Sequence, residues 1–136
     1  MKSAHDASEP AAPQLPEGGW RLHRHADYQR VYNAGRKQFA SLLTYFVAAH
    51  PAGQPARAAR IGITAGKAVG KAVERNRIKR RMRAAIVASL DIVPPDVDII
   101  LHPRRAVLTA PWEALRNDVR RTFVKIAEGR ARESQS

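Results

Sequence analysis

Apolar positions follow two different periods along this chain. Between His25 and Ala34, Tyr28, Val31 and Tyr32 recur three and four residues apart, which predicts a short helix, and Gly35 follows where a left-handed C-terminal cap belongs. From Phe39 to Ala49 the period falls to two, as in a strand with Tyr45 and Val47 on one face and Thr44 and Phe46 on the other. His50 to Arg57, with Pro51, Gly53 and Pro55, predicts a loop, and Arg60 to Thr64 a second extended run. A long helical segment comes next, with Ile78, Met82, Ala85, Ile86 and Ser89 on one side. Pro94 and Pro95 close it and lead into a third extended run, Val97 to Leu101. In the last helix Thr109 is the N-cap candidate, Pro111 falls in the first turn, and Trp112, Leu115, Val119 and Phe123 form a stripe that must cover a sheet. Helix, strands, helix, strand, helix is an α+β order, and two strands separated by a helix need a crossover if they lie parallel in one sheet. Strand order stays open.

With 136 residues the chain has room for one domain. Residues 1–19 hold Pro10, Pro13, Pro16, Gly18 and Gly19 and almost no large aliphatics, so they cannot offset their ordering entropy by burial and are expected to be a disordered leader. The polar stretch 129–136 is expected to be a disordered tail, leaving a folded body of 20–128. Cysteine is absent, which excludes disulfides, thiolate metal sites and a cysteine nucleophile and suits a reducing cytoplasm. No apolar run reaches the roughly 18–20 residues that span a bilayer, and the N-terminus lacks the basic and apolar regions of an export signal. The expectation is a soluble, unexported protein.

Charge adds the function class. Lys and Arg number 24 against 12 Asp and Glu, a formal +12, which makes a polyanion the expected partner. Residues 57–83 hold ten of these cations and only Glu74 among the acids, a net +9 in one fifth of the length. On the predicted helix Arg77, Lys79, Arg80 and Arg83 project from the side opposite Ile78 and Met82. Like charges at this spacing repel by a few tenths of a kcal/mol per pair, a cost that phosphates offset; a merely solvated face normally mixes signs. Asn76, between Arg75 and Arg77, can both donate and accept, a mixture able to reach phosphate, ribose and base edge, and equally suits a local hydrogen bond at a helix start. Thr64 to Gly70 is a small-residue turn carrying Lys67, with Lys71 beside it, where backbone can approach an anion. It is not an ATP-binding loop: Gly62 and Gly66 enclose three residues where four are needed, and Ala68 follows Lys67. No Gly-x-Ser-x-Gly elbow occurs.

The run Gly66-Lys-Ala-Val-Gly-Lys-Ala-Val-Glu-Arg-Asn-Arg-Ile-Lys-Arg-Arg-Met-Arg83 resembles the signature of the bacterial ribonuclease P protein component. The resemblance continues through Asp27-Tyr-Gln-Arg-Val-Tyr32 with Gly35, Ile61-Gly-Ile-Thr64, Asp98-Ile-Ile-Leu101 and the closing helix, over roughly residues 21–127. It implies an α/β sandwich with a left-handed βαβ crossover, similar to one domain of a small-subunit ribosomal protein. It further implies that this chain is an accessory subunit with no catalytic residue and no metal ligand of its own. A large RNA subunit, with Mg²⁺ held mainly by that RNA and the substrate, would hydrolyse the phosphodiester that joins the 5′ leader to tRNA. Carried over residue by residue, Lys67, Lys71, Arg75, Asn76, Arg77, Lys79, Arg80 and Arg83 would contact the RNA subunit, and Tyr28, Tyr32 and Phe46 would receive the single-stranded leader of precursor tRNA. Partners are thus two RNAs, with no membrane and no small-molecule substrate. The chain departs from the family pattern at Tyr28, where Phe is commoner, at Ala68, commonly lysine, and at Lys71, often a polar residue such as Asn.

Three rival readings stand beside it. A protein-only nuclease would draw Mg²⁺ to Asp91, Asp96 and Asp98, the last two alternating at a strand entry. A ribosomal or double-strand binder would use the same basic helix without a stacking platform. A membrane-surface helix is opposed by the alanine-rich apolar side of 78–90. His23 and His25, two apart, point in different directions on a helix and do not suit zinc; His50 and His102 stand next to prolines and read as loop residues.

Overall fold

The computed structural model describes residues 19–51 and 57–135; the leader expected over 1–19 lies almost wholly outside them. Helix α1 spans His25–Ala34, β1 Gln38–Phe39, β2 Leu43–Ala49, β3 Arg60–Ile63, α2 Ala72–Val87, β4 Val97–Pro103 and α3 Trp112–Gln135. Four strands form one mixed sheet in the order β1-β2-β4-β3. β2 runs antiparallel to β1 and β4, whereas β3 is parallel to β4. The segment from β3 through α2 to β4 is therefore the crossover that the strand–helix–strand order required. Trp20–Leu22 lies along the outer edge of β3, held by Ile61 N–H to the Trp20 carbonyl at 2.6 Å and Leu22 N–H to the Ile61 carbonyl at 3.0 Å.

Alternation along the strands divides the core. Leu43, Tyr45, Ile61, Val97, Ile99 and Leu101 face α2 and α3 and bury Ile78, Met82, Ile86, Trp112, Leu115, Val119 and Phe123 with them. Ala48 and Ile100 face the other way and meet Leu22 and Val31, with Tyr28, Tyr32 and Phe46 packed at the margin. The result is three layers, α1, sheet, then α2 with α3: an α+β sandwich.

Several local expectations are corrected. Gly35 is not a left-handed cap, since its φ is −93°. Glycine is needed there for close approach, because a Cβ would lie 2.7 Å from the Val47 carbonyl oxygen. The run Phe39 to Ala49 is broken into a hairpin: Ser41 and Leu42 donate their N–H groups to the Asp118 carboxylate of α3 at 3.2 and 2.8 Å, and the chain turns over that anchor. Helix α2 stops at Val87, and a 3-10 turn at Leu90–Ile92 stands between it and the two prolines. A further 3-10 turn at Arg105–Leu108 ends at Thr109, so Thr109 does not cap α3, which starts at Trp112. Helix α3 also continues to Gln135, past the boundary expected at Glu128; Gly129 does not break it, and Arg130 pairs with Glu133 one turn on, at 2.9 Å.

Candidate nucleic-acid interface

Helix α2 separates packing from charge as its period predicts. Ile78, Met82, Ala84, Ala85 and Ile86 are buried against the sheet and α3, whereas Asn76, Arg77 and Arg80 are exposed and Arg75, Lys79 and Arg83 half-buried. None of these six polar side chains forms an ion pair or side-chain hydrogen bond among the described residues. Burial lowers the pKa of Arg83, and repulsion from Arg21 and Arg80 lowers it further, the behaviour of a cation among cations with no anion at hand. Arg81 is the exception in the run. It is buried and donates to the Val107 carbonyl at 2.6 Å, so it braces the turn after β4 rather than facing a ligand.

The one acid in this run is consumed internally. Arg105 donates to Glu74 at 2.8 Å, and the Lys71 N–H donates to it at 2.9 Å, capping the start of α2. The Arg105 hydrogen bond first, then that of Lys71, lowers the Glu74 pKa to about 2. Gly70, at φ 145°, passes under this pair; a Cβ there would sit 2.6 Å from both the Arg105 guanidinium and the Glu74 carboxylate. The clamp fixes the turn carrying Lys67 to the helix that begins after Lys71, and both lysines are exposed.

On the α1 side of the sheet the three predicted aromatics come together. Ring centroids are 6.5 Å apart for Tyr28 and Tyr32 and 5.0 Å for Tyr32 and Phe46, the latter edge-to-face. A fourth ring completes the group. His102 lies 5.7 Å from Tyr32 and 5.6 Å from Phe46, and its Nε2 is 2.8 Å from the Tyr32 hydroxyl. The loop reading of His102 is thus corrected, because it lies within β4, on the same face as Asp98 and Ile100. Burial, then Lys37, pushes its pKa down, so near pH 7 the ring is neutral and able to accept the Tyr32 proton. The Tyr28 pKa is raised by burial and then by Tyr32, which keeps its hydroxyl protonated, and that hydroxyl donates to the Leu22 carbonyl at 3.2 Å. All four rings are half-buried, seated on the core with an edge or face left to solvent.

Tyr28 has its seat because residue 62 is glycine. A Cβ there would fall 2.2 Å from the Tyr28 hydroxyl oxygen. Gly62→Ala is therefore expected to push the Tyr28 ring from its seat and break its hydrogen bond to the Leu22 carbonyl, checked by a shift of the Tyr28 ring resonances in NMR spectra. Gly62 also lines a groove at the β3 edge with Leu22, Tyr28, Ile63, Lys79 and Arg83, so one ring of the aromatic group and two cations of α2 share one depression.

The aspartates considered for a nuclease metal site do not suit one. Asp98 is fully buried, and its carboxylate accepts from Arg30, from Arg60 at 2.8 and 2.9 Å and from His50 at 2.8 Å. Asp96 accepts the Arg57 N–H at 2.8 Å, and Asp91 stands on another turn, 3.9 Å from Arg120. A carboxylate already matched by three cationic or imidazole donors has no lone pairs to offer Mg²⁺, and no group of three metal-ligating side chains forms among the described residues. His50 stands in the loop, as read, one residue past the end of β2, and turns its ring onto this carboxylate.

A family profile described as ribonuclease P matches residues 17–127. The chain belongs to the ribonuclease P protein family. The ribonuclease P protein component of Herpetosiphon aurantiacus is 40% identical over 103 residues, 74% of this chain and 79% of that protein. That of Symbiobacterium thermophilum is 36% identical, over 76% and 88% of the two chains. Among solved structures, the ribonuclease P protein of Staphylococcus aureus superposes with a TM-score of 0.64 at 26% identity, covering 80% of this chain and 95% of that one. The ribonuclease P protein of Thermotoga maritima, at 20% identity and a TM-score of 0.66 over 77% and 96%, shows the same fold. As a ribonuclease P protein component the chain belongs to the tRNA-processing ribonucleoprotein. No helix among the described residues is long and apolar enough to cross a membrane.

Proposed function

We propose that this chain binds the ribonuclease P RNA through Lys67, Lys71, Arg75, Asn76, Arg77, Lys79, Arg80 and Arg83, and receives the single-stranded 5′ leader of precursor tRNA on Tyr28, Tyr32 and Phe46, with His102 added to that surface. Leader removal is then hydrolysis by the RNA subunit in the cytoplasm, with Mg²⁺ held by RNA and substrate. The protein supplies charge neutralisation on one side and leader binding on the other. The observation that carries the reading is one groove at the β3 edge lined both by the Tyr28 ring, the first of the aromatic group, and by Lys79 and Arg83 of the unpaired α2 cations. A duplex binder has no use for the rings, which stack unpaired bases with little sequence preference at about 1–3 kcal/mol per base.

The test is leader cleavage at low millimolar Mg²⁺ with a bacterial ribonuclease P RNA, the protein, or both. Stimulation only by the combination supports the subunit reading, whereas cleavage by the protein alone, or RNA binding without stimulation, overturns it. Tyr32→Ala is expected to weaken the holoenzyme's hold on precursor tRNA by roughly five- to a hundredfold while leaving mature tRNA unchanged. Equal losses for both would make Tyr32 a packing residue.

A further inference from the structure

The sheet carries the aromatic surface beyond the four rings described. Phe39 of β1 pairs with Thr44 of β2, and Thr44 pairs with His102 of β4. Directly opposed residues on neighbouring strands project from the same face, so Phe39 lies in one cross-strand row with His102, on the face that bears Phe46. It is 63% exposed, the only aromatic among the large exposed apolar side chains of the described residues. β1 is an edge strand of two residues. Its exposed ring contributes little to the core, and edges are normally kept clear of such groups because they invite unwanted pairing.

The surroundings indicate what would cover it. The Lys37 ammonium lies 6.0 Å from the Phe39 ring centroid, and the same charge acts on His102. Arg36 and Lys37 are both exposed on the approach to β1. A second copy of the chain added edge to edge would bring these cations against their own equivalents. A polyanion with unpaired bases is matched on both counts.

We propose that Phe39 and Lys37 extend the single-strand platform to the sheet edge, stacking one further unpaired base of the leader on Phe39 and setting its phosphate against Lys37. This rests on the leader reading above and adds to it a dependence on leader length. The surface would distinguish precursors whose leaders end over Phe46 and His102 from those that reach β1.

The experiment measures affinity of the reconstituted holoenzyme for one precursor tRNA carrying a graded series of leader lengths, with wild type, Phe39→Ala, Phe39→Trp and Tyr32→Ala. Because the ring is exposed, its removal leaves the core intact. Phe39→Ala is expected to match wild type on short leaders and to lose roughly five- to a hundredfold on long ones. Phe39→Trp should retain the affinity, and its fluorescence, compared with wild type, should be quenched by long leaders alone. Wild-type affinity of Phe39→Ala at every length, with Tyr32→Ala still impaired, overturns this proposal and leaves the leader reading standing. If neither variant loses affinity, both readings fail. A loss independent of leader length, or loss of a protein dimer in sedimentation with leader affinity unchanged, also overturns it.

Discussion

Replacing Asp98 by alanine is expected to cost about 3 kcal/mol of folding stability, the lower end of what breaking a buried ion pair costs, and to lower Tm by roughly 10–20 °C. The carboxylate is fully buried, whereas its partners Arg30 and Arg60 keep 26% and 20% of their side-chain surface, so water relieves part of the loss on the cation side. Burial alone would raise the Asp98 pKa, but hydrogen bonds and charge from Arg60 and His50 outweigh it, and the net shift is downward from the ordinary 3.8. A folded-state pKa below the unfolded one gives stabilisation that is fully present above about pH 4 and disappears as pH falls through the folded value. Urea melts from neutral pH down to pH 2 should therefore show wild type losing its advantage over Asp98→Ala only in acid. A constant difference across that range would assign the effect to lost packing instead of charge.

The proposed leader platform is tied to the same network. Arg30 belongs to α1, and Arg60 bonds both Asp98 and the α1 residue Asp27, the latter at 3.1 Å. These pairs fasten α1, and with it Tyr28 and Tyr32, to the sheet. The milder Asp98→Asn, which keeps the volume and one acceptor, is expected to retain the fold and still weaken leader binding, because the platform rests on a helix held less firmly.

How far such features are legible in the sequence depends on how local their causes are. The α1 bounds, the buried side of α2 and the stripe of α3 follow from spacing within one element, and the structure agrees with all three. The hairpin at Ala40–Leu42 follows from Asp118, more than seventy residues away, and no local pattern announces it. Asp98 reads as a possible metal ligand because its sequence neighbourhood is acidic, while the groups that satisfy it come from α1, β3 and the loop residue His50 that follows β2. His102 is within reach: continuing the alternation of Asp98 and Ile100 by one more step places it on the platform face, but the predicted strand ends at Leu101. Arg81 is also decipherable, since it lies three residues from Ile78 and four from Ala85, on the packed side of the helix. The functional roles of Tyr28, Tyr32 and Phe46 rest on resemblance, because rings at helical spacing serve a core equally well.

Replacing Arg75, Arg77 and Arg80 together by alanine is expected to have the largest effect on assembly with the RNA subunit. Every phosphate that is no longer neutralised should take about 0.9 off the slope of log affinity against log salt. With three such phosphates, wild type should weaken roughly fortyfold more than the variant over a fourfold rise in salt. Stability should hardly change, since none of the three side chains forms a hydrogen bond or ion pair among the described residues and relief of repulsion along α2 favours the helix. Arg81→Ala is the internal contrast: it removes the donor to the Val107 carbonyl, and is expected to lower Tm while leaving the salt slope at its wild-type value. The pair of variants separates the cations that hold the protein together from those that hold RNA, because only the second kind releases counterions on binding. An unchanged slope in the triple variant would mean that the exposed face of α2 does not touch phosphate, and the interface would have to be sought elsewhere on the surface.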